Sequence, residues 1–364
     1  LILLSSCKSA TETLPVTMAS ENETKLHSVL KETVDLHKVP GATLLVQFED
    51  GSMFKECYGN GKLDAVYPVK METDMQFRIG SVSKTMIGTA ILMLIKEGKI
   101  NFSQTLEELL PNTMLHGNEI TLEMLLNQSS AIPNYTAYDQ FGDIYYENPT
   151  YPWTKEEIIS IVKNEDLLDS VGHTSYYSNS NYYLLGMIIE KYSGQSLDVF
   201  LRDKIFIPLN MNKTYFPTEN DLTGNFAHGY LDYNQDGIFT ADEDYSSQCP
   251  TAIWATGGVV STVDDLLIWI NELLTGSLLN SELQTKRMQI DVPLAGAPEG
   301  VYYGLAIADL FGAIGHTGAV AGYSTILFKY KNTIIISYGN GYETNGENPL
   351  IAEDIFEKVK AALF

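Results

Sequence analysis

The chain has 364 residues, 45% hydrophobic and 19% charged, enough to bury the core of one large or two medium domains. Its 23 basic and 46 acidic side chains leave a net charge of −23 and a pI near 4.5, a surface that repels nucleic acid and anionic membrane and excludes nucleic-acid binding. No run approaches the roughly 18–20 apolar residues of a membrane span, and 22 Tyr with 14 Phe argue for a packed fold over disorder.

The first residues, Leu1-Ile2-Leu3-Leu4-Ser5-Ser6-Cys7, resemble the end of a bacterial lipoprotein signal: an apolar tail, small residues, then a cysteine that takes lipid. The basic start and most of the apolar stretch of such a signal are missing, so the sequence reads as truncated there. On this reading Cys7 is the lipidation site, residues 8–19 are a polar tether, and the protein is exported and held to a bacterial membrane by its lipid alone. The bland alternative is a chance apolar start with a free thiol. Beyond Cys7, Cys57 and Cys249 have no metal spacing; an exported compartment would permit a disulfide between them, but they read as two separate buried thiols.

Ser20-Glu21-Asn22-Glu23 predicts a capping box opening a helix to about Lys38, with Leu26, Val29, Leu30 and Val34 on one apolar face. Ala42 to Phe48 and Met53 to Tyr58 read as strands around the turn Glu49-Asp50-Gly51. A helix is predicted from Ser81 to Gly98. Shorter helical patterns follow at residues 121–126, 154–163, 179–191, 197–205 and 263–274, and a loop at 127–138. Strand-like runs at 303–308, 322–330 and 333–338 precede a final helix over about 349–363. Short links between strands argue for an antiparallel sheet. The fold class is therefore α/β in the α+β sense: an antiparallel sheet flanked by N- and C-terminal helices, with a large, mostly helical insertion over about 76–300. Residues 20–364 read as one folded unit, since no linker interrupts them.

The stretch that organises the chain is Phe77-Arg78-Ile79-Gly80-Ser81-Val82-Ser83-Lys84, followed by an apolar run. Ser81 would sit at a helix N-terminus, where unpaired N–H groups favour developing negative charge. Lys84, three residues on, returns to the same face. Desolvated by Met86, Ile87, Ile91 and Leu92, its amine can lose a proton and activate the hydroxyl. The spacing alone is weak, because Ser-x-x-Lys also occurs at Ser5, Ser28, Ser52 and Ser160. Only Ser81 has a glycine before it and a long apolar helix after it.

Two further motifs supply partners. Tyr177-Ser178-Asn179 stands just before an apolar helix, where a phenol can shuttle a proton and an amide can position a substrate carbonyl or the lysine. The same Tyr-x-Asn tripeptide at Tyr146, Tyr330 and Tyr338 lacks that setting. His316-Thr317-Gly318 stands between Gly315 and a strand. Gly318 leaves room for a ligand to lie along the strand edge, and His316 and Thr317 can meet a substrate carboxylate, although a histidine beside glycines is more often structural.

These three motifs in this order resemble the penicillin-recognising serine hydrolases: class C β-lactamases, DD-carboxypeptidases and their esterase and D-aminopeptidase relatives. The resemblance spans about residues 20–364 and extends to Leu122–Tyr135, Pro208-Leu209-Asn210-Met211 and Gly257–Thr262. It implies a β-lactamase/transpeptidase-like fold and an acyl-enzyme on Ser81, with Lys84 and Tyr177 relaying the proton. It further implies an oxyanion hole from the Ser81 and Ala319 N–H groups, Asn179 on the substrate amide, and no catalytic cofactor. The implied activity is that of a serine hydrolase on small peptide-like amides or esters, first of all a D-alanyl-D-alanine carboxypeptidase. An esterase or β-lactamase on the same site is the alternative, and a non-catalytic penicillin- or cell-wall-peptide receptor the reading from another class. His316 matches the carboxypeptidase branch, where lactamases carry lysine. Ile307-Ala308-Asp309-Leu310-Phe311 lacks the arginine that some carboxypeptidases use to hold the terminal carboxylate. An anionic peptide would then need a positive well made by Lys84 and His316. The sequence sets no oligomeric state.

One signal stands apart. Asp232-Tyr233-Asn234-Gln235-Asp236-Gly237-Ile238-Phe239-Thr240-Ala241-Asp242-Glu243 fits the calcium-loop pattern Asp-x-Asn-x-Asp-Gly-x5-Glu. Asp232, Asn234 and Asp236, the Ile238 carbonyl, Thr240 through water and a bidentate Glu243 would form the shell of a structural calcium ion. Flanking helices are not predicted, so a solitary loop is expected rather than a sensor. A solvated acidic turn is the alternative.

Overall fold

The computed structural model describes residues 19–343 and 350–364. Cys7 and most of the tether therefore lie outside the described residues. The main sheet has nine strands, all antiparallel: β1 (Gly41–Gln47), β2 (Met53–Lys62), β3 (Val69–Lys70), β4 (Val292–Pro293), β5 (Val301–Tyr303), β6 (Ala308–Leu310), β7 (Ala313–Val320), β8 (Tyr323–Tyr330) and β9 (Thr333–Gly339). Their order across the sheet is β3-β2-β1-β9-β8-β7-β6-β5-β4. The chain ends meet in the middle, where β1 pairs β9 with Leu45 opposite Ile336.

Helices cover both faces, and the apolar pattern of the strands follows from that. β1 is buried along nearly its whole length, so Ala42–Val46 is apolar but for the buried Thr43 and does not alternate with charged or exposed residues. On one face, Leu26, Leu30 and Val34 of α1 (Ser20–His37) and Ile355, Phe356 and Val359 of the C-terminal helix α6 (Ile351–Leu363) pack onto Leu44, Val46, Ile326, Phe328 and Ile335. The other face carries the larger core, built on α2 (Ser83–Lys96), α3 (Asp139–Glu147), α4 (Asn179–Ser193) and α5 (Val263–Thr275). No helix among the described residues is long and apolar enough to cross a membrane.

Several local expectations are corrected. No side chain caps α1, which starts at Ser20 after Ala19. The run 303–308 is two strands, β5 and β6, joined through Ala306 in a left-handed conformation. The His316 motif lies inside a strand, β7, rather than before one. The region 76–300 contains short strands as well as helices: Phe77–Arg78 pairs with Val260–Ser261, and Tyr230–Asp232 pairs with Gly341–Glu343. Both thiols are free, Cys249 buried and Cys57 half-buried.

Candidate active site

Ser81 does not open an α-helix. It sits in a 3₁₀ turn, Gly80–Val82, that feeds α2. Lys84 follows in the first turn of α2, three residues on and on the same face as Ser81. The turn is held from outside. Phe77–Arg78 pairs with Val260–Ser261, the Ile79 N–H donates to the Val259 carbonyl, and the Val259 N–H donates to Ser83 Oγ.

Lys84 is fully buried. Its Nζ lies 2.8 Å from Ser81 Oγ, 2.7 Å from Asn179 Oδ1 and 2.6 Å from the Thr256 carbonyl oxygen. Burial alone lowers its pKa well below the ordinary lysine value. The geometry suits the neutral amine. Two N–H bonds donate to the two carbonyl-type acceptors, which leaves the lone pair facing the Ser81 hydroxyl. The Asn179 amide is oriented from its other end, since its Nδ2 donates to Thr136 Oγ1 at 3.0 Å. The distant loop 127–138, before α3, supplies the missing caps of α4, with the Asn179 N–H donating to Asn134 Oδ1 and the Ser178 N–H to Gln128 Oε1.

The Tyr177 ring stands 5.0 Å from Lys84 Nζ at its centroid and packs edge-on to Tyr303. The ring is 36% exposed, yet its phenol end is enclosed. That enclosure raises its pKa, and a hydrogen bond with Ser81 offsets part of the rise. The phenol is thus held protonated beside the nucleophile.

Gly318 of β7 and Gly80 bring the remaining parts together. A Cβ on Gly318 would lie 2.1 Å from the Ile79 carbonyl oxygen and 3.3 Å from the Ser81 nitrogen. A Cβ on Gly80, whose φ is +52°, would lie 2.6 Å from the Ala319 nitrogen. Only glycine allows the turn and the strand to run in backbone contact, which draws the Ser81 and Ala319 amides together. β7 pairs β6 only through Gly315, so residues 316–320 offer an edge not taken up by that strand.

His316 and Thr317 behave differently. His316 is buried beneath the site, where its Nδ1–H donates to the Thr317 carbonyl and its Nε2 accepts from Tyr303 Oη at 2.9 Å. Burial and the nearby Lys84 push its pKa down to about 3. His316 is turned into the core, so it adds no charge to the expected positive well. Thr317 pairs with Ile326 and lines a separate cleft against α6, about 300 Å³, so its side chain is not brought to Ser81. Sequence reasoning did not name Thr136, Asn134, Tyr303 or the Thr256 carbonyl. A backbone acceptor leaves no residue-type signal, and the two hydroxyl and amide groups lay within a loop singled out only as a segment.

The acidic loop is closed by its own amides. Asp232 is 1% exposed, and its carboxylate accepts from the Asp236 and Gly237 N–H groups. Asn234 Oδ1 accepts from Asp236 N–H, and Asp236 Oδ1 from Ile238 N–H. Glu243 Oε2 caps the Thr240 N–H, while its Oε1 is buried with no hydrogen-bond partner. Among the described residues no three acidic, His or Cys side chains converge as a metal site.

Comparison with known proteins decides the family, because the sequence profile of the Beta-lactamase family matches residues 26–360. The chain belongs to the β-lactamase family. Protein flp of Staphylococcus aureus is 26% identical over 259 residues, covering 70% of this chain and 49% of flp. The chain thus spans about half the length of that relative. Penicillin-binding protein 4* of Bacillus subtilis is 24% identical over 355 residues, 91% of this chain and 75% of that protein. A D-stereospecific amidohydrolase from Streptomyces sp. shares the fold at a TM-score of 0.79 and 24% identity, covering 94% of this chain and 98% of that one. The antiparallel sheet of this chain, with helices on both faces, is the architecture expected from the resemblance.

Proposed function

We propose that the chain is a serine hydrolase that passes small neutral amides or esters through an acyl-enzyme on Ser81. The observation that carries this reading is the buried Lys84 amine, held 2.8 Å from Ser81 Oγ with no carboxylate among its hydrogen-bond partners. As Oγ attacks the carbonyl carbon, the Ser81 proton passes to Lys84 Nζ. The oxyanion takes the Ser81 and Ala319 N–H groups. Tyr177 hands its proton to the leaving nitrogen or oxygen and regains one from Lys84. Water then attacks the ester, and the acyl group leaves as an acid.

Likeness to penicillin-binding protein 4* favours a second reading, D-alanyl-D-alanine carboxypeptidase. The neutral, buried His316 and the absence of arginine in β6 weigh against it. The test is a serine-directed covalent probe read by intact mass, followed by turnover of esters, amides and a chromogenic cephalosporin. Ser81→Ala should lose the adduct and at least about 10³-fold in rate. A folded Ser81→Ala chain with the parent's turnover overturns the proposal. A stable adduct on the parent without turnover selects the receptor reading.

Two further proposals concern the periphery. The acidic loop takes a structural calcium ion, supported by its sequence pattern and by the partnerless, buried Glu243 Oε1. Binding requires Glu243 to leave its Thr240 cap and swing inward. Cys7 carries a lipid that holds an exported protein to its membrane. Labelling of the expressed chain with radioactive palmitate, lost in Cys7→Ala, tests this.

A further inference from the structure

The reverse face of the strand that carries Gly318 and Ala319 is not fully covered. Strand alternation puts Ala313, Gly315 and Thr317 of β7 on the side where α6 packs, and all three are small. A cleft of about 300 Å³ remains there, between α6 and strands β6, β7 and β8. Leu310, Ile326, Phe328 and Phe356 give it an apolar lining, with Thr317 among them. Its charged lining is all acidic: Glu353, Asp354 and Glu357 of α6. These three carboxylates are not equivalent. Asp354 meets Lys358 Nζ at 2.7 Å and His37 Nε2 at 2.8 Å, and Glu357 meets Lys360 Nζ at 2.9 Å. Glu353 is half-buried and has no cationic partner among the described residues. The segment 344–349 that leads to α6 contains no Lys, Arg or His to supply one. Burial, then the charge of Glu357, raises the Glu353 pKa, and no cation offsets the rise.

We propose that this cleft, behind β7 and separate from Ser81, binds a primary ammonium ion carried on an apolar chain or ring of about six to ten carbons. Ligand sites span roughly 300–1,000 Å³, so the occupant is a small molecule. A stable protein partner would need roughly 1,000 Å² of buried surface, more than a cleft of this size offers. The ammonium pairs with Glu353, and partial desolvation makes that pair stronger than one on the open surface. The carbon body lies against Leu310, Ile326, Phe328 and Phe356 and removes their exposed area from water. The net charge of −23 draws such cations toward the protein and repels their anionic counterparts.

The experiment titrates the full chain with hexylamine near neutral pH by calorimetry, beside hexanol and hexanoate as its neutral and anionic counterparts. Hexylammonium should bind at least about tenfold more tightly than either. Glu353→Gln keeps the shape and removes the charge, so it should weaken hexylammonium about tenfold and narrow its lead over hexanol. Thr317→Leu keeps the charge and fills the floor of the cleft, so it should weaken amine and alcohol alike. Melting curves establish that each variant is folded; should Thr317→Leu not fold, Glu353→Gln decides alone. Equal affinity for the three ligands overturns the proposal, as does undiminished binding of hexylammonium to either folded variant. No binding of hexylammonium to the parent at about 10 mM, a level at which even millimolar affinity registers, overturns it too.

Discussion

The Nζ of Lys84 lies 2.7 Å from Oδ1 of Asn179, and neither residue has freedom to move away. Lys84 is buried in α2, and Asn179 is tied at its side chain to Thr136 and at its backbone to Asn134. This contact orients the base, while burial lowers its pKa.

Exchanging that amide for a carboxylate is therefore informative. Lys84 has a pKa below the ordinary 10.5, so it is a proton acceptor above its lowered pKa and rate is lost as pH falls through it. Asn179→Asp places a negative charge against the amine and should raise its pKa by roughly 1–3 units. The acid limb of kcat/KM should move to higher pH by that amount. Superimposable pH profiles would remove Lys84 as the base.

Gly318→Ala tests the backbone contact between β7 and the 3₁₀ turn. The new Cβ meets a carbonyl oxygen on a turn held by its own pairing, and neither side can retreat cheaply. A stability loss of roughly 1–3 kcal/mol is expected, with a fall of about 10²–10³ in kcat as the two amides separate. Gly142→Ala in α3, with open space around it, should be neutral or stabilising by up to about 1 kcal/mol. Equal behaviour of the two variants in thermal melts and rate would contradict the contact.

His316 ties stability to acid. Its pKa is about 3 in the fold against 6.5 ordinarily. Between those values the unfolded chain binds a proton that the folded chain refuses, so stability falls as pH drops from about 6.5 toward about 3, by a few kcal/mol at most. His316→Gln keeps a donor and an acceptor for Thr317 and Tyr303 but does not titrate. Its Tm should fall less steeply than the parent's between about pH 6.5 and about pH 4. Parallel slopes would show that His316 is not the linked group.

Calcium should raise the melting temperature, and a chelator should reverse the gain. Glu243→Gln should weaken the effect, since the swinging carboxylate supplies two of the ligand oxygens. Identical melts of the parent with and without calcium retire the ion.

Much of the fold was legible because its signals are local. Apolar periodicity marks α2 and α4, short turns mark the antiparallel strands, and a glycine before Ser81 marks a tight approach. Ser81, Lys84, Tyr177 and Asn179 were legible as residue types at informative positions. The sequence by itself determined which chemistry the chain carries: a hydroxyl, an amine three residues on, a phenol and an amide at a helix start.

The tertiary structure decided the rest, because charge and direction depend on neighbours distant in the chain. The lysine's pKa is lowered only once the fold buries it beside Thr256 and Asn179. Strand alternation, fixed by the pairing of β7 with β8, sends His316 into the core beneath the site and Thr317 to the opposite face. A cleft beside Asn179 draws on Thr136, α3, α4, the segment after Cys249, β7 and the strand at Tyr342, stretches that no spacing rule joins.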